Sequence, residues 1–145
     1  MTTKIQVTLS VEQAAAVCEA LDAYSRLCIG QLEEVANMVS YGVIPLAQPA
    51  NCTERTIAST DICDGIDVLM RRAKCLLGHP GNGSHGIHHP HIAMSGRRSY
   101  EVKKTIEKSL AFLQNPNPEF KGVNFDGLCV RVTTDPAPTV LVVKE

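Results

Sequence analysis

Aromatic side chains are scarce in this chain of 145 residues, which has three Phe, three Tyr and no Trp. A hydrophobic core must therefore be built from aliphatic side chains, Met and Cys, and such a core favours closely packed helices. The length is sufficient for one domain with a real core, and we predict a single domain over residues 1–145.

Two further absences concern the location of the protein and its large partners. No apolar run approaches the roughly 20 residues that a membrane-spanning helix requires, and the N-terminus lacks the basic-then-apolar pattern of a secretory signal. The formal net charge is −1, whereas proteins that bind nucleic-acid polymers usually carry a clear positive excess. These features predict a cytoplasmic protein that binds neither a membrane nor a nucleic-acid polymer.

The six cysteines form no C-x-x-C pair, and four of them lie inside helical patterns. Buried thiols behave as small apolar side chains, and a cytosolic compartment keeps them reduced. We therefore interpret the cysteines as structural thiols. A disulfide framework or a zinc cluster is the alternative.

Local patterns predict an α+β fold with three helices and a small sheet. A long helix, capped by Ser10 and kinked at Gly30, is predicted over residues 11–39, a second over about 58–77 and a third from 95 or 96 to about 114. Alternating apolar residues predict strands at 4–9, 123–125, 128–132 and 140–143. The strands from both chain ends would pair in a small antiparallel sheet that packs with the helices.

Apolar residues recur at three- and four-residue spacing along the predicted helices. In the first helix the seam contains small residues such as Cys18 and Ser25, which would let another helix approach closely. The seam favours a homo-oligomer formed through the 11–39 helix; the alternative is that this helix is the central core helix of a monomer. In the second helix the spacing predicts an inward face made of Ile62, Ile66, Leu69, Ala73 and Leu76.

Carboxylates are absent between Asp67 and Glu101, and the same stretch contains five Arg and Lys residues and all five histidines. Subtracting those five positive charges from the net charge of −1 leaves −6 on the remainder. Such segregation creates a local positive field suited to a small anion. Residues 79–91 read HPGNGSHGIHHPH, inside a loop that we expect to be mobile over about 78–96. Because glycines permit close backbone approach and Arg donors match phosphate oxygens, the segment predicts a phosphate-bearing ligand.

Three other interpretations of the histidine loop are open. The spacing of His85, His88 and His91 invites a metal ion, but no Asp or Glu lies nearby as a ligand or as a partner that orients an imidazole. Two histidines could act as acid and base on a phosphodiester, although the chain has no H-E-x-x-H, G-x-S-x-G or Walker motif. The loop could also be a solvated polar segment. We prefer binding without turnover, with no catalytic residue, metal or cofactor.

Four segments carry more specific signatures. Residues 24–35 read YSRLCIGQLEEV, residues 84–87 read SHGI, residues 97–100 read RRSY and residues 123–126 read VNFD. These segments resemble four parts of a family of small uncharacterised proteins from tailed bacteriophages. The first segment is the strongest match. The other three resemble, in order, the family's Ser-x-Gly-Ile loop, its Arg-x-x-Tyr helix and its Val-Asn-Phe-Asp stretch. The resemblance covers about residues 10–126.

The general layout also resembles phage sponge proteins that counter bacterial immunity, of the Thoeris anti-defence kind. Late in the third helix this chain has Glu107 and Lys108 where the bacteriophage family usually has further basic residues. The resemblance to the sponge proteins implies an oligomer in the host cell cytoplasm that sequesters a cyclic ADP-ribose isomer or a cyclic oligonucleotide without destroying it. The ligand would then sit at a subunit interface.

The resemblance and the loop chemistry together imply a set of ligand-binding residues. Arg97 and Arg98, with the histidine loop, would face the phosphates of the nucleotide. Tyr24, Tyr100 or His85 could stack on its base. The full set is Tyr24, Arg26, Asn82, Ser84, His85, Gly86, Ile87, His88, Arg97, Arg98 and Tyr100.

Two other functions remain as alternatives. One is a His- or metal-dependent phosphodiesterase that acts on a nucleotide signal, and the other is a phage protein that binds a host protein through its long helix. On that helix, Arg26, Gln31 and Glu34 are either an ordinary polar face or a cluster that joins another element, for example Glu34 with Arg97.

Overall fold

Four α-helices make up the regular structure of the described residues. The computed structural model describes residues 3–47, 60–120, 122 and 131–143. The helices are α1 (Val11–Cys28), α2 (Glu34–Ser40), α3 (Thr60–Leu76) and α4 (Met94–Gln114). No helix within these ranges is long and apolar enough to cross a membrane.

The residues that the structure describes contain no strand, so the predicted α+β fold is wrong and the architecture is helical. The predicted strands at 4–9 and 140–143 have no regular structure, and Ile5 is 90% exposed. An alternating segment gains little from strand geometry unless a neighbouring strand takes its backbone hydrogen bonds and covers its apolar face. The predicted strands that lie outside the described residues are 123–125 and all but the last two residues of 128–132.

The start of α1 agrees with the sequence. The Ser10 N–H donates to Gln13 Oε1 at 2.9 Å, and the Gln13 N–H donates to Ser10 Oγ at 3.2 Å. This reciprocal pair is the predicted capping box, which satisfies two N–H groups that a helix start leaves without partners. The signal is readable because both residues lie within one turn of each other.

The end of α1 differs from the sequence prediction, because the helix stops at a glycine with a left-handed backbone. Gly30 has a φ of +88°. Its N–H donates to the Leu27 carbonyl at 3.0 Å, and the Gln31 N–H donates to the Arg26 carbonyl at 2.9 Å. This pair of bonds is a Schellman motif, which terminates a helix. The kink predicted at Gly30 is therefore a helix end, and α2 begins separately at Glu34.

Two compact units divide the chain. Unit 1 comprises Met1–Ser25 and Pro90–Glu145, and unit 2 comprises Arg26–His89. α1 therefore contributes its last three residues to unit 2 and the remainder to unit 1. The single domain over residues 1–145 stays a prediction.

In unit 1, polar contacts join α1 to α4. Ser99 Oγ donates to the Leu21 carbonyl at 2.8 Å, and Lys103 Nζ lies 2.6 Å from the Asp22 carboxylate. The Cys18 thiol faces the Lys103 carbonyl at 3.7 Å. The small residues of the predicted seam thus admit another helix, and that helix is α4 of the same unit. A homo-oligomer formed through the first helix stays a prediction.

A buried carboxylate on α4 holds the C-terminal segment of unit 1. Glu101 is 5% exposed, and its Oε1 accepts from the Val132 N–H at 2.6 Å and the Thr133 N–H at 2.9 Å. Its Oε2 accepts from Thr133 Oγ1 at 2.7 Å, and Arg131 Nε donates to Oε1 at 3.2 Å. Burial raises the pKa of Glu101, but the hydrogen bonds from Thr133, Val132 and Arg131 together outweigh it and hold the pKa below its ordinary value.

Acid is expected to release this segment. A carboxyl group whose pKa is lowered by folding contributes stability that is fully present above its unfolded pKa, about 4.3, and is lost as the pH falls through its folded pKa. We expect the melting temperature to fall steeply below about pH 4.5. Thermal unfolding between neutral and acidic pH would check this, with Glu101→Gln as the comparison. The Gln variant should have the flatter profile, and superimposable profiles would contradict the role of Glu101.

In unit 2, α2 packs against α3 around a buried ion pair. Lys74 of α3 is 1% exposed, and its Nζ lies 2.5 Å from Glu33 Oε1. Ala36 and Val39 of α2 are buried in the same unit. Because lysine is almost never buried without a partner, the position of Glu33 helps to decide which face of α3 turns inward.

The inward face predicted for the second helix is wrong at three of its five positions. Ile62, Leu69 and Leu76 are 41%, 58% and 89% exposed, whereas Ile66 and Ala73 are half-buried. The apolar period correctly predicts an amphipathic helix. It does not predict that the row formed by Ile62, Leu69 and Leu76 lies at the surface of unit 2.

Candidate functional site

The histidine loop begins where α3 ends. Gly78 has a φ of +80°, its N–H donates to the Cys75 carbonyl at 3.0 Å, and the His79 N–H donates to the Lys74 carbonyl at 3.0 Å. These bonds form a second Schellman motif, in agreement with the prediction that Gly78 stops the helix. Since Lys74 is the buried residue paired with Glu33, the first histidine is fixed to the packed part of unit 2.

Two further hydrogen bonds fix the middle of the loop to the segment that follows α1. The His85 N–H donates to the Ile29 carbonyl at 2.9 Å. The Gln31 side-chain amide donates to Ser84 Oγ at 3.4 Å. Residues 79–85 are therefore held at both ends within unit 2, and the mobility expected over about 78–96 stays a prediction.

Gly30 leaves room for the His79 imidazole. A Cβ at position 30 would lie 2.9 Å from Cε1 of that ring, 3.0 Å from Nε2 and 3.2 Å from Nδ1. These separations are shorter than ordinary van der Waals contacts, so a side chain and the ring cannot both occupy their places. Gly30 therefore has two functions: it ends α1 and it allows the loop to pack against that helix end.

Replacing Gly30 with Ala is expected to destabilise the protein by about 2–3 kcal/mol, because a left-handed backbone costs a non-glycine residue about 1–2 kcal/mol and the His79 ring must also move. Gly78→Ala is the matched control: its φ is +80°, but a Cβ there has no neighbour within 4 Å. We expect about 1–2 kcal/mol for Gly78→Ala. Urea unfolding would measure both changes. Equal costs for the two variants would contradict the His79 contact.

Three imidazole rings lie together in the loop. The centroids of His79 and His85 are 4.6 Å apart with planes at 62°, and those of His85 and His89 are 3.8 Å apart with planes at 13°. Stacked rings present their nitrogens at the edges of separate planes, so this pair does not direct two lone pairs at one ion. Within the described ranges, no group of three His, Cys, Asp or Glu residues could hold a metal ion. The stack instead forms a flat, polarisable surface.

A chain of polar contacts runs from the end of α1 to the loop. Arg26 Nη1 donates to Gln31 Oε1 at 3.2 Å, and the Gln31 amide in turn donates to Ser84. The Glu34 carboxylate lies 3.8 Å from the same Arg26 nitrogen. Glu34 therefore pairs with Arg26, and the contact of Glu34 with Arg97 that the sequence suggested stays a prediction. The Glu34 carboxylate also offsets part of the positive charge that Arg26 brings to the loop.

The remaining predicted ligand residues of unit 2 lie on the loop. Asn82, Gly86 and His88 are exposed, and Ile87 is half-buried. The His89 N–H donates to the Gly86 carbonyl at 2.8 Å, which closes a turn over residues 86–89. The loop therefore presents the Asn82 amide and the His88 imidazole to solvent, in the same segment as the Ser84 hydroxyl.

The other predicted ligand residues belong to unit 1: Tyr24, Arg97, Arg98 and Tyr100. The Tyr24 hydroxyl donates to Ser95 Oγ at 3.0 Å. Arg98 Nε donates to Asp135 Oδ2 at 2.5 Å, and this hydrogen bond raises the pKa of Arg98 and lowers that of Asp135. Because the Arg98 charge is already matched by a carboxylate, Arg98 is a weaker candidate for a phosphate ligand than the sequence indicates.

Three residues of the loop's architecture are missing from the predicted set, namely Gly30, His79 and His89. Gly30 was recognisable as a break in the apolar pattern, but its contact with a histidine 49 positions later leaves no local signal. His79 follows a helix-ending glycine, a position whose N–H commonly bonds back into the helix. That rule identifies the backbone role of His79 but not its ring stacking.

The loop of unit 2 thus combines hydroxyl, amide and imidazole donors with a stacked aromatic pair on an anchored backbone. Groups of this kind can hold an anion and a planar ring together. No protein-family model, curated protein or solved structure matches the chain.

Proposed function

We propose that the protein binds a small phosphate-containing signalling nucleotide through the histidine loop of unit 2 and holds it without turnover. In this role it is a phage counter-defence protein that sequesters a cyclic ADP-ribose isomer or a cyclic oligonucleotide in the host cytoplasm. The observation that supports the proposal best is the stacked pair of His85 and His89, 3.8 Å apart, on a segment without carboxylates between Asp67 and Glu101.

The chemistry of the loop suits the two parts of a nucleotide. An aromatic surface favours stacking of a base, which is worth about 1–3 kcal/mol per base in proteins that bind single strands. Exposed Asn82, Ser84 and His88 supply N–H and O–H donors for phosphate oxygens. Hydrogen bonds to a charged group contribute about 1.5–3 kcal/mol each, and these contacts must offset the cost of association before they appear as affinity.

The ring geometry favours sequestration over hydrolysis. Displacement at phosphorus is in line, so the group that activates the nucleophile and the group that protonates the leaving oxygen lie on opposite sides of the phosphorus. His85 and His89 are stacked with planes at 13° and centroids 3.8 Å apart, which leaves no space for a phosphoryl group between them. The pair is suited to contact one side of a ligand.

A thermal-shift screen tests the proposal. The compounds are ADP-ribose, cyclic ADP-ribose isomers and cyclic di- and trinucleotides, and each hit is re-extracted and analysed by chromatography. A ligand at 100 times its dissociation constant adds about 2.7 kcal/mol, which for a chain of this size raises the melting temperature by about 5–10 °C. We expect at least one such shift, with the ligand recovered unchanged.

Exposed loop residues provide variants that leave the fold intact. Asn82→Ala/His88→Ala should weaken binding of the hit by about tenfold or more, since two donors are removed. Gln114→Ala/Asn117→Ala is the control, because it removes two polar side chains from exposed positions of unit 1 that lie outside the histidine loop. Arg97→Ala measures the contribution predicted for unit 1.

Other outcomes distinguish the alternatives. Conversion of the recovered ligand, abolished by His85→Ala, would make the protein a phosphodiesterase. If no compound shifts the melting temperature, the nucleotide proposal fails, and a host protein bound through residues 11–39 becomes the function to test. Equal loss of binding in the loop variant and in its control would also contradict the proposed site.

A further inference from the structure

The tip of the histidine loop carries an asparagine followed by a glycine. Asn82 is exposed, and it lies between the two points at which the loop is held, the His79 backbone at the end of α3 and the contacts of Ser84 and His85 with the segment after α1. No described residue hydrogen-bonds with the Asn82 side chain. The amide group of Asn82 can therefore rotate toward the peptide bond that follows it.

The glycine at position 83 is required by the turn and leaves its peptide nitrogen unshielded. The Gly83 N–H donates to the Pro80 carbonyl at 3.0 Å, and a Cβ at position 83 would lie 2.9 Å from Pro80 Cγ. Any other residue would crowd Pro80, and its side chain would also stand between the nitrogen and the Asn82 amide. The fold thus keeps, at an exposed loop tip, a pair of residues in which the asparagine amide is open to attack.

An intramolecular reaction joins these two residues. When the Gly83 nitrogen loses its proton to solvent, it attacks Asn82 Cγ: a bond forms between that nitrogen and Cγ, the bond from Cγ to Nδ2 breaks, and Nδ2 takes a proton from solvent and leaves as ammonia. Water opens the resulting succinimide ring at either of its carbonyl carbons, which gives aspartate or isoaspartate. The overall change turns one amide and one water into one carboxylic acid and one ammonia, so it requires no oxidant or cofactor.

We infer that Asn82 is a site of spontaneous deamidation, which places a carboxylate in a stretch that has none between Asp67 and Glu101. The product is ionised at neutral pH, and a group that only accepts hydrogen bonds replaces an exposed donor. A negative charge at the loop tip repels phosphate oxygens, so the modification lowers the affinity for a nucleotide. This consequence rests on the proposed function, whereas the reaction itself does not.

Peptide mapping by mass spectrometry of the full chain, incubated at several mildly alkaline pH values, tests the inference. Asn115 and Asn117 are internal controls, because both are exposed and each precedes a proline, whose nitrogen has no proton to lose. We expect aspartate and isoaspartate to accumulate at position 82 and at neither control position. The rate should rise about tenfold per pH unit, since it follows the deprotonated fraction of the Gly83 nitrogen.

The chain unfolded in guanidinium chloride measures the effect of the fold on this reaction. The hydrogen bond from the Gly83 N–H to the Pro80 carbonyl retains the proton that must leave, so the folded chain should react about two- to tenfold more slowly than the unfolded chain. If position 82 keeps its amide in the folded chain while it reacts in the unfolded chain, the inference is overturned. Equal conversion at Asn82, Asn115 and Asn117 would exclude the Gly83 nitrogen as the attacking group.

The consequence for binding is measured separately with cyclic ADP-ribose and cyclic di-AMP. Asn82→Asp should bind about tenfold more weakly than the wild type, whereas Asn115→Asp should bind like the wild type. Equal affinities of the two variants would contradict the effect of the new charge. Because deamidation is read from peptide masses without any nucleotide, a failure of both compounds to bind contradicts the proposed function and not the modification site.

Discussion

Replacing Lys74 with Met is expected to lower the free energy of unfolding by about 3 kcal/mol, because it leaves the Glu33 carboxylate without its cation. Lys74 is 1% exposed, and Glu33, whose side chain is 30% exposed, lies 2.5 Å from its Nζ. Burial raises the pKa of Glu33, but the hydrogen bonds that its carboxylate accepts from Lys74 and from the Glu33 backbone N–H outweigh this effect and lower the pKa overall. The Glu33 carboxyl group is therefore charged at neutral pH.

A double-mutant cycle separates the ion pair from the packing of the Lys74 side chain. Glu33 Oε2 is buried without a hydrogen-bond partner, so removing the carboxylate also relieves a cost. Lys74→Met/Glu33→Leu should therefore recover at least half of the stability lost in Lys74→Met, as replaced buried ion pairs commonly do. Chemical denaturation monitored by circular dichroism measures each corner of the cycle.

Arg71→Met provides the control on the same helix. Arg71 Nη2 lies 2.8 Å from Asp67 Oδ2 in an exposed ion pair. Removing this pair should lower the free energy of unfolding by less than about 1 kcal/mol. If Lys74→Met costs no more than Arg71→Met, Lys74 does not hold unit 2 together. If the stability losses of Lys74→Met and Glu33→Leu add up to the loss of the double variant, Glu33 and Lys74 stabilise unit 2 independently.

Replacing Glu101 with Ala is expected to cost about 3 kcal/mol and to release the C-terminal segment of unit 1. The substitution leaves the Val132 and Thr133 N–H groups, which now donate at 2.6 and 2.9 Å, without an acceptor. A buried donor that loses its partner costs about 1–3 kcal/mol, more for bonds to a charged group. Urea unfolding measures the loss, and limited proteolysis should cut the variant near residues 131–135 first.

Glu101→Gln keeps the shape and one acceptor oxygen, so we expect a smaller cost of about 1 kcal/mol. Glu19→Ala, on the exposed side of α1, is the control and should change stability by less than about 0.5 kcal/mol. Proteolysis of Glu101→Ala at the wild-type rate and sites would contradict the claim that this carboxylate holds the segment.

The start of α1 and the end of α3 were predictable because their signals are local. The capping box at Ser10 and Gln13 and the helix-ending Gly78 each involve residues within one or two turns, and the structure has both. The predicted strand at 4–9 failed because alternation specifies a strand only when another strand pairs with it, and Ile5 is 90% exposed. Strand pairing is a long-range property that alternation alone does not encode.

Long-range contacts also explain what the sequence did not predict in unit 2. The apolar period of α3 indicated its apolar row but not which side of the helix is covered, which depends on the contact of Lys74 with Glu33, 41 positions away. The same holds for the candidate site. Residue types and the carboxylate-free stretch drew attention to the loop, whereas the contact of His79 with Gly30 required the fold.

The measurement that tests the central claim most directly is a titration of ¹⁵N-labelled protein with cyclic ADP-ribose and, separately, with cyclic di-AMP, followed by amide chemical shifts. We predict saturable shifts concentrated at residues 82–89 and at the anchoring Ile29 and Gln31, with at least one of the two compounds. Asn82→Ala/His88→Ala should weaken them, while Gln114→Ala/Asn117→Ala should not. Saturable shifts confined to unit 1, or spectra that neither compound alters, would contradict binding by the histidine loop.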